Sequence, residues 1–287
     1  MSSARNLTMG LLFISCNILA APAPDENSQL AINKLNTFTL ARIQIRDSIP
    51  KNITRVYESP DDYIRYMGAV DLGSSGELLA LNISSVEREN AINGYITTTM
   101  LSELHNTDYG WHGKYSYHIV AKDKKTQKET AFFDMQGEII YRIDPKGRIT
   151  SSIERADVSI AAKTKQTGIA QSLYIYNESG KVINVIRLSN LPDDSDYIKI
   201  NYDDVGRLLN IQAKHTVNNY QYDKQGREFL EHEIQTYFDI KKTSTKCFEW
   251  NSDGQCTQSN EQVTRTSKKS KNEHNMTVKT TYTYWGQ

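Results

Sequence analysis

The feature that most constrains this chain is a repeated pattern, aromatic-x-aromatic-Asp/Asn-x-x-Gly-Arg/Lys followed by apolar residues. The fullest copies are Tyr202-Asp203-Asp204-Val205-Gly206-Arg207 and Tyr220-Gln221-Tyr222-Asp223-Lys224-Gln225-Gly226-Arg227. Looser copies are Phe133-Asp134-Met135-Gln136-Gly137, Ile143-Asp144-Pro145-Lys146-Gly147-Arg148, Tyr174-Ile175-Tyr176-Asn177-Glu178-Ser179-Gly180-Lys181 and Trp250-Asn251-Ser252-Asp253-Gly254. An Asp or Asn at the first turn position accepts hydrogen bonds from backbone amides ahead of it. A Gly at the fourth takes the positive φ that the turn needs before the chain re-enters a strand. Each copy therefore encodes a β-hairpin turn, and a run of copies encodes an array.

The flanks support strands. Ile198, Ile200 and Tyr202 fall on one face and Lys199 and Asn201 on the other; Ile139, Tyr141 and Ile143 oppose Arg142 in the same way. A sheet with one wet face is implied. The stretch between Gly137 and Asp144 holds one strand of roughly 20 Å, so those two turns are expected on opposite edges. Between Gly206 and Asp223 there is room for two strands, which puts those turns on the same edge.

These residues resemble the Rhs or YD-repeat family, in which Tyr-Asp-x-x-Gly-Arg hairpins stack into long β-arrays on bacterial toxins and cell-surface proteins. The resemblance spans roughly residues 130–256. It implies a binding or scaffolding role with a protein partner, linked to a toxin or secretion system. Shell-forming members use many more repeats than this chain, so the expected fold is mainly β: an open, curved antiparallel sheet of repeated hairpins with a small N-terminal α+β cap. A second, weaker similarity is to choline- or glucan-binding repeats, whose Gly-Trp pair is missing here.

Arg5, an apolar run from Met9 to Ala20 and the small-residue stretch Ala20-Ala21-Pro22-Ala23 read as an export signal over residues 1–21. No later stretch is apolar for about 20 residues, so no transmembrane helix is expected in the mature chain. A bacterial periplasmic, secreted or cell-surface location follows, with lipidation at Cys16 as the minor alternative. Two other cysteines, Cys247 and Cys256, flank a turn in a compartment where disulfides persist, and they are expected to pair across a bulge. Two cysteines without a histidine at ligand spacing make a poor metal site, and no cofactor is expected.

Lys and Arg total 34 against 34 Asp and Glu, which gives no net field for nucleic acid. Residues 22–30 read as a flexible leader, 31–125 as the α+β region that caps the sheet, and 126–287 as the hairpin array. In the first part Thr37–Arg46 reads as a strand. Val86–His105 reads as a helix, from a capping box at Ser84 and Glu87 and from Ile92, Ile96, Met100 and Leu104 recurring every four residues. Asp71–Leu81 is a weak echo of the turn motif. Lys268, Lys269, Lys271 and Lys279 lie in a basic stretch suited to a solvated loop or a protected edge.

No nucleophile elbow, zinc-protease, phosphate-loop or calcium-loop motif is present. No catalytic residue is assigned, although Tyr109-Gly110-Trp111-His112-Gly113, with His118 nearby, is a loop that could present an imidazole. Glu231-His232-Glu233 places the imidazole on the opposite strand face from both carboxylates and is not read as a site. The better lead is aromatic: Tyr174, Tyr176, Tyr202, Tyr220, Tyr222 and Trp250 are candidate binding residues, either as a platform for glycan or peptide or as cross-strand packing. Protein binding through the face or edge of the array is the leading expectation. Carbohydrate or cell-wall binding through the aromatics is the alternative, and an enzyme built on the His112 loop is third.

Overall fold

The structure is a computed structural model that describes residues 26–286 apart from 47, 92, 162–164, 192–193, 237–238 and 268–269. The expected signal segment, Cys16, Lys268 and Lys269 lie outside the described residues. One helix, α1 (Glu26–Ala41), precedes sixteen strands: β1 (Pro50–Glu58), β2 (Ile64–Leu72), β3 (Leu78–Ala91), β4 (Gly94–Thr107), β5 (Gly110–Asp123), β6 (Glu129–Ile143), β7 (Ile149–Ile160), β8 (Gln166–Tyr176), β9 (Val182–Ser189), β10 (Asp196–Tyr202), β11 (Leu208–Gln212), β12 (Thr216–Tyr222), β13 (Glu228–Thr236), β14 (Ile240–Trp250), β15 (Cys256–Thr266) and β16 (Lys271–Tyr284). Each pairs antiparallel with its neighbours in sequence, and β1 pairs with β16 from Pro50↔Tyr284 to Glu58↔Thr277. The sheet is a closed barrel.

Closure corrects the expected open array. From β1 onward the region before residue 126 is not a cap laid over a sheet but wall: β5 and β6 are hydrogen-bonded from Gly110↔Arg142 to Lys122↔Glu129. Closing the sheet abolishes both free edges, so binding along an edge has no place in this fold. The expected helix at 86–105 is the β3–β4 hairpin, paired from Ala80↔His105 to Ala91↔Gly94. A four-residue spacing satisfies the period of a strand as well as that of a helix, since Ile96, Met100 and Leu104 share one face in either case. The β-branched run Thr97-Thr98-Thr99 decides for the strand. Conversely, the strand expected at Thr37–Arg46 is the end of α1 and the segment that follows it.

Of the repeated motifs, six are turns on one rim. In each the Gly N–H donates to the carbonyl three residues back, with Gly76, Gly147, Gly180, Gly206, Gly226 and Gly254 at φ between 72° and 85°. The weak echo at 71–81 thus contains a true turn, and the Gly206 and Asp223 turns do share an edge. The copy at Gly137 is not a turn. It lies in the middle of β6 opposite Tyr115, whose hydroxyl would be 2.4 Å from a Cβ built there, so this glycine makes room for a ring inside the barrel.

Strand alternation separates a lumen from an outer face. β16 gives the clearest pattern: His274, Met276, Val278 and Thr280 are buried, while Glu273, Asn275, Lys279 and Thr281 are exposed. By register the outer face carries Asn82, Ser84 and Arg88 on β3, Glu103 on β4, Lys114 and His118 on β5, Glu138 on β6, and Lys242 and Lys246 on β14. That face carries charged and polar side chains along the strands, with apolar ones such as Met67, Leu101, Ile140, Leu173 and Leu188 exposed among them.

The core lies inside, around α1. Leu40, Ala41 and Ile43 pack on Leu72, Leu78, Trp111 and Ile149, and Leu35 and Phe38 pack on Val182, Ile200, Leu208 and Ile211. The helix is tied to the turn rim by Asn33 Nδ2 donating to Ser75 O (2.9 Å), Asn36 Nδ2 to Gly147 O (2.7 Å) and Thr37 Oγ1 to Gly76 O (3.2 Å). It plugs that end. At the other end Glu87 of β3 accepts from Lys241 of β14 (3.0 Å) and pairs with Arg265 of β15 (2.8 Å), a bridge across the lumen that Tyr63 OH joins at 2.7 Å. Nearby, Tyr63 stacks on His274, which contacts Asp61 (2.6 Å) and Glu89 (3.4 Å). On the opposite wall Leu191 packs with Ala156 and Val158.

Candidate functional site in the barrel lumen

The repeat motif builds the rim from its own chemistry. In the β12–β13 turn Asp223 Oδ1 accepts from the backbone N–H of Gln225 (2.9 Å) and Arg227 (2.8 Å), and Oδ2 accepts from Arg227 Nε (2.7 Å). Asp203 holds Arg207, and Asp144 holds Arg148, in the same way. The three arginines so oriented, and Lys181 held by Gly206 O, lie over the last aromatic of the next copy: Arg148 over Tyr176 at 5.0 Å, Lys181 over Tyr202 at 5.0 Å, Arg207 over Tyr222 at 4.5 Å and Arg227 over Trp250 at 4.2 Å. The polar tip of each ring donates back to the strand start after the preceding turn: Tyr176 OH to Ile149 O, Tyr202 OH to Val182 O, Tyr222 OH to Leu208 O and Trp250 Nε1 to Glu228 O. Tyr174 and Tyr220 face the helix side of the lumen, packed with the apolar clusters. The six candidate aromatics are thus brought together as a ladder around the plugged rim, and four of them have one face under a cation.

Cys247 and Cys256 are disulfide-bonded, Cα to Cα 6.0 Å, where β14 bulges on either side of Glu249. Trp111 turns inward and donates Nε1–H to Leu78 O (2.8 Å), whereas His112 and His118 point outward, toward Glu138 (3.7 Å) and Asp134 (3.4 Å). The loop residues of that segment are therefore split between the two faces of the wall. Among the described residues no cluster of three or more His, Cys, Asp or Glu is arranged to hold a metal ion.

A chamber of about 550 Å³ lies between the plug and the wall, lined by Arg42, Gln44 and Arg46 after α1, by Arg55 and Tyr57 of β1, and by inward side chains of β10–β16. Its acidic groups come from β13 and β15. Glu228, Glu231 and Glu233 of β13 and Glu261 of β15 line it together with Tyr220, Tyr282 and Asn218. Asn218 Nδ2 donates to Glu231 (3.1 Å) and Glu233 (2.9 Å), and Thr245 donates to Glu261 (3.2 Å). Burial, and then the charge of Glu231, push the Glu228 carboxyl up to about 7; burial raises Glu231 and Glu261 as well. The Arg55 guanidinium faces these carboxylates without an ion pair to any of them, and its Nε is shielded from solvent with no hydrogen-bond partner.

Sequence reasoning missed this cluster, although a signal for it exists. Counting two and five residues past each turn glycine gives Leu78 and Leu81, Ile149 and Ser152, Val182 and Val185, Leu208 and Ile211, then Glu228 and Glu231, then Cys256 and Ser259. Those first four pairs are buried against the plug. Only in the Gly226 copy are both positions acidic.

No protein-family profile matches the chain, and no curated protein matches it. The closed sheet overturns the resemblance to open Rhs or YD-repeat arrays. A solved structure described as a porin-like protein from Bacteroides uniformis is similar over 81% of this chain and 97% of its own, with a TM-score of 0.44 and 12% sequence identity. At that level the likeness carries no argument about function.

Proposed function

We propose that this protein is an exported, water-soluble, non-catalytic binding protein that holds a small polar ligand inside a closed β-barrel. The observation that carries this reading is the row of charged side chains at mid-wall on the outer face, which interrupts the apolar residues exposed there. A barrel that spans a membrane needs an outward apolar band about 25 Å tall, and each Lys or Arg at mid-bilayer costs about 2–4 kcal/mol. Here Lys114, Glu138 and Arg155 stand side by side on the outer face of β5, β6 and β7. The lumen in turn is closed at one rim by α1 and crossed near the other by the Glu87, Lys241 and Arg265 bridge, which suits an enclosed site better than a diffusive pore. The test is to express the full chain in a bacterial host, partition the mature protein between detergent and aqueous phases, and extract it under denaturing conditions for mass spectrometry of small molecules. Recovery in the aqueous phase with a stoichiometric extract is expected. Recovery in the detergent phase overturns the reading.

A protein partner is a second reading, favoured by one patch. On the outer face of β6–β10, Ile140, Ile153, Leu173, Leu188 and Tyr197 are 47%, 36%, 55%, 65% and 56% exposed, and the register sets Ile140 against Ile153 and Tyr197 near Leu173 through Ile186. Leu173→Asp with Leu188→Asp would abolish a contact there without disturbing the lumen. Stacking of glycan on the repeat aromatics is less favoured, because turn cations already occupy ring faces.

A further inference from the structure

We infer that the chamber beside β13 is a binding site for a small zwitterion of amino-acid or dipeptide size, with its carboxylate on Arg55 and its ammonium among Glu228, Glu231 and Glu261. The inference rests on the lumen-binding reading above and names the ligand class for it.

Three independent observations converge. The first is placement: Glu228 and Glu231 occupy the positions that four other copies of the repeat fill largely with buried apolar residues. The wall therefore gives up apolar packing at this copy, which lines the chamber. The second is the absence of mutual satisfaction. Burying charged groups is costly unless they pair, and protein interiors pair them, as the Glu87, Lys241 and Arg265 bridge does a few residues farther along the lumen. Arg55 and the three carboxylates line one cavity yet form no ion pair with each other, Arg55 Nε has no partner, and the Glu228 carboxylate makes no side-chain hydrogen bond.

The third is the mix of donors and acceptors. An unpaired guanidinium presents N–H groups in a fork that fits a carboxylate. A group of carboxylates presents only acceptors and favours an ammonium. A ligand carrying one charge would satisfy one side and leave the other exposed to an unbalanced field, whereas a zwitterion satisfies both. Tyr57, Tyr220 and Tyr282 line the same chamber and supply ring surface, and the volume of about 550 Å³ lies within the range of small-molecule sites.

The probes are the dipeptide alanyl-tyrosine, its N-acetylated and C-amidated forms, and maltose as a neutral polar control. Each is titrated calorimetrically into the dialysed full-chain protein. Saturable binding of the free dipeptide, weakened about tenfold or more by either block, is the expected result. Arg55→Gln should abolish the penalty for C-amidation while keeping that for N-acetylation, and Glu228→Gln should do the reverse. Arg55→Lys should restore part of the preference. If Arg55→Gln does not fold, the Glu228→Gln arm and the two blocked dipeptides carry the test. Equal binding of blocked and free dipeptides overturns the assignment. Binding of maltose alone overturns it too, while leaving the lumen reading in place. Absence of any heat overturns the assignment, and the small-molecule extract described above then decides the lumen reading separately.

Discussion

Asp223 shows how one side chain sets both a turn and its neighbour. Its carboxylate accepts three bonds, two from backbone amides and one from Arg227, and that orientation sends the guanidinium over Trp250. Asp223→Ala is expected to destabilise the protein, read as a lower urea midpoint at unchanged slope. Glu228 acts through pH. An unfolded glutamate titrates near 4.5 and this one near 7. Below about 4.5 both states are protonated and the group contributes nothing. Between the two values the folded protein keeps a proton that the unfolded chain has released, so stability falls as pH rises, and the loss is complete above about 7. The shift corresponds to on the order of 3 kcal/mol. Glu228→Gln should flatten that slope and raise the melting temperature at pH 8; an unchanged slope would remove Glu228 as its source.

At the scale of elements, the plug and the disulfide are the two devices that hold secondary structure to the wall. Asn36 is 2% exposed, donates to Gly147 O and accepts from the Ile149 amide. Asn36→Ala leaves both groups unmatched, which costs about 1–3 kcal/mol. Hydrogen exchange should show the loss concentrated in α1 and the β6–β7 turn. The Cys247–Cys256 link closes a short loop, and removing it as Cys247→Ser with Cys256→Ser should cost about 2–3 kcal/mol on the chain-entropy account. Reductant should lower the unfolding midpoint of the native protein and leave that double variant unaffected.

For the molecule as a whole, closure governs behaviour. With β1 paired to β16, no strand edge is left to recruit another chain. The protein should remain monomeric at high concentration by sedimentation unless the outer patch of β6–β10 is engaged. Leu173→Asp should then suppress any association. That result would separate patch-driven contact from edge-driven aggregation.

The turns, the wet and dry faces of β10–β13 and the disulfide were legible in the sequence because each depends on residues within one hairpin: an Asp or Asn, a glycine at positive φ, an alternating flank, two cysteines astride a turn. Such local chemistry fixes local geometry wherever the chain goes. The Val86–His105 segment was misread because its four-residue spacing fits both periodicities, and only pairing with β2 and β5 decides between them. The aromatic ladder was visible as a pattern, but its partners stand one hairpin away. What the tertiary structure alone decided is closure, the insertion of α1 and the side of the wall on which each charge falls. Whether β16 meets β1 depends on curvature summed over every strand, and whether Arg55 faces Glu228 depends on that meeting. No stretch of sequence contains either fact.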